Sequence, residues 1–165
     1  MRRIAVVVMV VVFSITAAPS SAWAASLAST RTLQLTGRFD GRSVSTPGEP
    51  CGGVVHLDYA GTFHLDKRAE HNGYYVMDIC ITFDRERIWW TLSGPFVITS
   101  ARGVVLRGTV DGSTNLEDVG MTLTVTESSG DRYPIRGTIE VDTTYGGLYS
   151  DAHRGTFSAA LDYVR

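Results

Sequence analysis

His56, Asp58, His64, Asp66, Asp78 and Asp84 are the residues of this chain whose types and spacing come closest to a chemical site. Imidazoles and carboxylates gathered on one surface can bind zinc or a similar divalent ion. All six fall on the polar parity of two alternating stretches, Val55 to Asp66 and Tyr75 to Asp84, so they share one face of whatever those stretches form. His56 and Asp58 are adjacent on it and are the metal candidates. His64 lies eight residues beyond His56, roughly 26 Å along an extended strand, too far to share an ion unless the chain bends at Gly61. The favoured reading is a solvated polar face, with no metal and no other cofactor expected.

The second chemical candidate, Asp111-Gly-Ser113-Thr-Asn115, has the alternating oxygen ligands that open a calcium loop. Its sixth position is Leu116, where glycine is needed for the sharp turn, and its twelfth is Thr122, where a bidentate glutamate belongs. A hairpin loop is the better reading. No GxSxG elbow, HExxH helix, P-loop or dinucleotide fingerprint occurs. That leans against an enzyme without excluding a site assembled from distant residues.

Binding residues are sought among aromatics and loops. Trp89 and Trp90 point to opposite faces if they lie in a strand, and parity with Ile88 and Leu92 assigns Trp90 to the core and Trp89 to the surface. The segment 143–154 carries Tyr145, Tyr149, Asp151, His153 and Arg154 around Gly146-Gly147, between two strong strands. Loops held by a rigid scaffold are where functional residues gather. Trp89, Tyr145, Tyr149 and His153 are therefore the candidates for a ligand or partner, against the plainer reading of an ordinary long hairpin connection.

The elements that must position these groups are strands. Period-two alternation dominates the chain after residue 24, and no segment there of ten or more residues holds a convincing 3.6 period. Alternation predicts strands near 32–39, 55–66, 74–84, 87–94, 96–100, 103–111, 121–126, 133–142 and 155–164, separated by turn chemistry at Asn72-Gly73, Asp111-Gly112-Ser113, Ser128 to Asp131 and Gly146-Gly147. The short connections favour sequential antiparallel hairpins. The pattern apolar-x-Gly-x-apolar recurs at Gly37, Gly61, Gly108 and Gly137, with a partial copy at Gly155, each time on the inward parity. Glycine weakens a strand, so its repeated use inside implies strong coiling of the sheet or close approach of another element. The expected fold is all-β: an antiparallel meander of about eight strands forming a closed or nearly closed small barrel, with a β-sandwich as the alternative.

At the N-terminus Arg2 and Arg3 precede an unbroken apolar run, Ile4 to Phe13, and then Ala22-Trp23-Ala24. This order reads as a cleavable secretory signal peptide over 1–24, with a single barrel-like domain over 25–165. The run is short of the ~20 residues of a membrane span, so the expected product is secreted, extracellular or in the cell envelope, with no membrane span. Without Arg2 and Arg3 the 15 basic residues become 13 against 17 acidic, a formal charge of −4. Nothing in that balance recommends a nucleic acid or an anionic membrane as partner. Every basic residue but Lys67 is arginine, a compositional hint of a GC-rich bacterial genome.

Export makes a Cys51–Cys80 disulfide the expected state of the two cysteines. A hairpin around Lys67 to Gly73 would put Cys80 opposite Ala60 and Asp84 opposite His56. Cys51 is nine residues from Ala60, roughly 30 Å if extended, whereas a disulfide needs Cα atoms within about 7 Å. Either residues 41–53 fold back across the polar face, or that register is wrong.

Leu35-Thr-Gly37 and Ala60-Gly-Thr62-Phe63 resemble strand motifs of secreted ligand-binding barrels of the avidin and lipocalin type. The resemblance covers only these short pieces and implies a ligand held in the barrel mouth; no binding residue is carried over from it. The resulting expectation is a secreted small barrel that binds a small apolar or amphiphilic ligand without chemistry. The alternatives are an extracellular or envelope protein-interaction domain presenting Trp89 and the 143–154 loop, and a metal-dependent or barrel-type enzyme using His56, Asp58 or His153.

Overall fold

Alternating inward apolar and outward polar residues wrap into a closed barrel. The computed structural model describes residues 30–45, 55–85, 89–115, 118–145 and 151–164. Its eight strands are β1 (Thr30–Ser45), β2 (Val55–Leu65), β3 (Gly73–Asp84), β4 (Trp89–Ser100), β5 (Val105–Thr114), β6 (Val119–Ser129), β7 (Ile135–Tyr145) and β8 (Ala152–Val164). Each pairs antiparallel with the next in sequence, and β8 closes on β1 from Thr30↔Val164 to Arg42↔Ala152. The barrel, rather than the sandwich, is the fold. Closure leaves no sheet edge exposed for pairing with other chains. The segments read as signal peptide, residues 1–24, and Cys51 lie outside the described residues. No helix among the described residues is long and apolar enough to cross a membrane.

Two sequence expectations need correction. The first concerns 87–94 and 96–100, which form one strand, β4, running through Gly94-Pro95. Proline has no N–H to give a ladder, but here the β3–β4 pairing is interrupted between Met77↔Phe96 and Cys80↔Ser93, so Pro95 breaks nothing. The second is the β2–β3 register. Cys80 faces His56, not Ala60, and Asp84 lies four residues further along β3. The connection is not a symmetric turn: Ala69–His71 forms a 3-10 turn, while the end of β2 goes on pairing with β1 through Gly37↔Leu65. Cys80 therefore faces a residue five positions from Cys51 in sequence instead of nine.

The inward glycines answer close approaches. Gly37 faces Phe157 and Phe39 faces Gly155 across β1–β8, so each phenylalanine ring lies over the glycine of the other strand. A Cβ on Gly37 would fall 2.6 Å from Phe157 Cζ, and one on Gly155 would fall 2.5 Å from Phe39 Cε1. Large and small residues thus alternate around the wall, letting rings fill a narrow interior. Toward the end of the barrel that holds the β3–β4 and β5–β6 turns, Ile79, Ile81, Leu92 and Thr114 are fully buried and the interior is solid. Toward the other end it is not.

Candidate functional site

In a sequential meander every second connection falls at the same end. The β2–β3, β4–β5 and β6–β7 turns accordingly gather beside the start of β1 and the end of β8. Beneath them lies a cavity of about 130 Å³. Its walls are side chains such as Leu35, Ile98, Leu123, Ile139 and Ala159, with the rings of Phe39, Phe63, Tyr75 and Phe157 among them. Phe63 and Phe157 meet edge to face at 6.2 Å, as do Phe39 and Tyr75 at 6.1 Å. Edge-to-face pairs of this kind are favourable arrangements for aromatic rings. An engineered apolar cavity of ~150 Å³ stays dry and takes up benzene, which sets the scale of what fits.

Five polar residues stand at the mouth, Arg68, His71, Ser100, Asp131 and Tyr163, and Tyr75 brings a hydroxyl to the wall below. The turn bearing Arg68 and His71 is anchored by Asn72. Its Oδ1 accepts the Leu65 N–H at 2.8 Å, its Nδ2 meets His64 Nδ1 at 3.2 Å, and its carbonyl accepts the Ala101 N–H at 2.7 Å. The Arg68 carbonyl accepts the His71 N–H at 2.8 Å. Across the start of β1, Thr36 Oγ1 donates to Asp66 Oδ2 at 2.7 Å. Burial pushes the Tyr163 hydroxyl above the usual tyrosine range; Asp131 raises it further and Arg68 lowers it. Asp131 and Arg68 thus both act on Tyr163 across the mouth.

The residues picked from sequence lie elsewhere. Trp89 begins β4 at the opposite end and is 45 % exposed, while Trp90 is half-buried against Phe83, ring centroids 4.8 Å apart. His153 is not in a loop but on β8, facing inward and 3 % exposed. Its Nε2 lies 2.8 Å from Ser43 Oγ and its ring 4.9 Å from that of Tyr59. Tyr145 ends β7, with its side chain outside the described set, and Tyr149 lies outside the described residues. His56 and Asp58 remain on the outer face of the barrel. His56 Nε2 is hydrogen-bonded to Asp78 Oδ1, and Asp58 brings a third possible ligand atom within 4.8 Å of both. His64 and Asp66 are held separately by Asn72 and Thr36. The Asp111–Asn115 stretch is the end of β5 and its turn, where Asn115 Oδ1 accepts the Asp118 N–H at 2.8 Å.

Tyr59 sits beside His153 with its hydroxyl buried and no hydrogen-bond partner among the described residues. Burial pushes it up to about 12, and burial, then Asp40 and Tyr59, push Tyr75 upward as well. The unfolded chain gives tyrosine its ordinary value of about 10, so the fold favours the protonated form. That stabilisation is complete below pH 10 and disappears as pH rises from 10 to 12, a loss of about 3 kcal/mol for Tyr59. Tyr59→Phe should leave stability at pH 7 unchanged or raise it by about 1 kcal/mol, and should move the alkaline unfolding midpoint upward. Urea melts from pH 7 to 11.5 read both; a loss above 1 kcal/mol at pH 7 would mean that the hydroxyl is satisfied.

No family model and no curated protein matches the chain. Among solved structures it is similar to a pterocarpan synthase dirigent protein, with 9 % identity, 92 % of this chain and all of that chain covered, and a TM-score of 0.50. At that identity the likeness shows the fold alone, an eight-stranded barrel.

Proposed function

We propose that this protein is an exported carrier or sensor that holds a small apolar or amphiphilic molecule in the barrel mouth and does no chemistry on it. The observation that carries the reading is the apolar cavity of about 130 Å³ under a polar rim. Small barrels can instead be filled by their own side chains, and an unfilled, ring-walled void costs packing energy that a bound ligand offsets. The signal-peptide pattern supports a location outside the cytoplasm, and the Cys51–Cys80 disulfide belongs to the same proposal.

The other two readings have less support. A partner-docking domain calls for a solid core and a contiguous aromatic patch, and the core is open at one end. An enzyme calls for histidine and acid converging in a cleft; His56, Asp58 and Asp78 converge on the outer face, and His153 faces Ser43.

Native mass spectrometry of protein purified from culture medium, followed by titration of the emptied protein with 1-octanol, tests the proposal. A chain beginning near Ala25, a disulfide mass deficit and saturable one-to-one octanol binding are expected. Failure of octanol to bind saturably would overturn the carrier reading.

A further inference from the structure

We infer that the ligand is a monoanionic amphiphile whose carboxylate is taken by Arg68 at the cavity mouth while its apolar body fills the space below. This rests on the carrier reading and names the ligand class.

The rim offers donors in excess of acceptors. Arg68 presents a guanidinium with five N–H donors in a fork that matches a carboxylate. Among the described residues it makes no ion pair, although Asp131 stands on the same rim. Asp131 instead points one oxygen back at its own loop, 3.4 Å from the Tyr133 N–H. Tyr163 holds its proton well beyond neutral pH, so its hydroxyl remains a donor, and His71 and Ser100 add N–H and O–H groups. Asp131 is the single obligate acceptor among these five side chains. A headgroup made only of acceptors, which is what a carboxylate is, therefore fits the rim better than an ammonium or an alcohol.

Charge around the mouth agrees. The three turns there, residues 66–72, 101–104 and 130–134, contain Lys67, Arg68, Arg102 and Arg132 against Asp66, Glu70 and Asp131, a balance of +1 in a chain whose formal charge is −2. Of these four cations Arg68 is the one lining the cavity. The anchoring of its turn by Asn72 lowers the cost of ordering it around a ligand.

The test compares octanoate with 1-octanol, two ligands with the same chain and different heads, by calorimetry at pH 7.5 and low salt. For the wild-type protein octanoate should bind more tightly than octanol, and the advantage should shrink in 0.5 M salt. Arg68→Gln should lower the octanoate-to-octanol affinity ratio about fivefold, the scale of a partly exposed charge-assisted contact. Asp131→Asn should raise that ratio. A ratio unchanged by Arg68→Gln, or an octanol preference in the wild type, overturns the headgroup assignment while leaving the cavity reading in place. Failure of both ligands to bind overturns the cavity reading itself.

Discussion

Gly155→Ala should destabilise the barrel by about 3 kcal/mol or more, a large part of the 5–15 kcal/mol available to a small domain. A Cβ at this position would lie 2.0 Å from the Asp142 carbonyl oxygen on β7 and 2.5 Å from the Phe39 ring. The ring can shift; the carbonyl belongs to the sheet and cannot move without opening the β7–β8 ladder, which pairs Asp142 with Thr156. Combining Gly155→Ala with Phe39→Leu should therefore recover little of the loss. Gly120→Ala is the control. That glycine is outward on β6 with nothing within 4 Å of a built Cβ, so losing backbone freedom in the unfolded chain should make the variant neutral or up to about 1 kcal/mol more stable. Urea midpoints compare the two directly. A Gly155→Ala protein within 1 kcal/mol of wild type would show that the close approach is not what the glycine serves.

This contrast explains why the barrel is legible in the sequence. Alternation says which face a residue is on, and a glycine on the inward parity says that the wall bends or something approaches it there. Gly37, Gly61, Gly108, Gly137 and Gly155 all meet a cross-strand carbonyl within 2.3 Å of a built Cβ. Register was less legible, because it depends on the turn. Lys67 to Asn72 looks like a symmetric loop in sequence, but a 3-10 turn and the Asn72 side chain set it asymmetrically, moving Cys80 from Ala60 to His56. Gly94-Pro95 misled for a related reason, since a proline ends a strand only where its missing N–H would have been used.

The cavity mouth was missed for a topological reason. Rare residue types point to Trp89, Tyr145, Tyr149 and His153; Trp89, Tyr145 and His153 lie at strand ends opposite the cavity, and Tyr149 is outside the described residues. Arg68, His71 and Asp131 look like ordinary turn residues when each turn is considered alone. Counting connections would have grouped them, because a closed meander puts its second, fourth and sixth turns at one end. What alternation could not supply is whether that end is open: Leu, Ile and Phe on the inward parity read identically whether they touch across the barrel or stop short of doing so.

Filling the void should separate folding from binding. Ala159 is 3 % exposed, lies on β8 between Leu35 and Ile139, and lines the cavity with its methyl group. Ala159→Phe would place a benzene-sized ring in a space of about 130 Å³, close to the ~150 Å³ void known to accept benzene. At ~24 cal/mol per Å³ an empty cavity of this volume costs about 3 kcal/mol, and overpacking a wall costs about 1–3 kcal/mol. The two nearly cancel, so stability should stay within about 2 kcal/mol of wild type. Binding has no such compensation: the ring occupies the volume that the ligand needs, and affinity for octanol should fall at least about a hundredfold, equivalent to roughly 2.7 kcal/mol. A folded Ala159→Phe protein that binds octanol as the wild type does would move the ligand out of the barrel. Tyr74 and Val76, 55 % and 44 % exposed on the outer face of β3, would then be the first place to look.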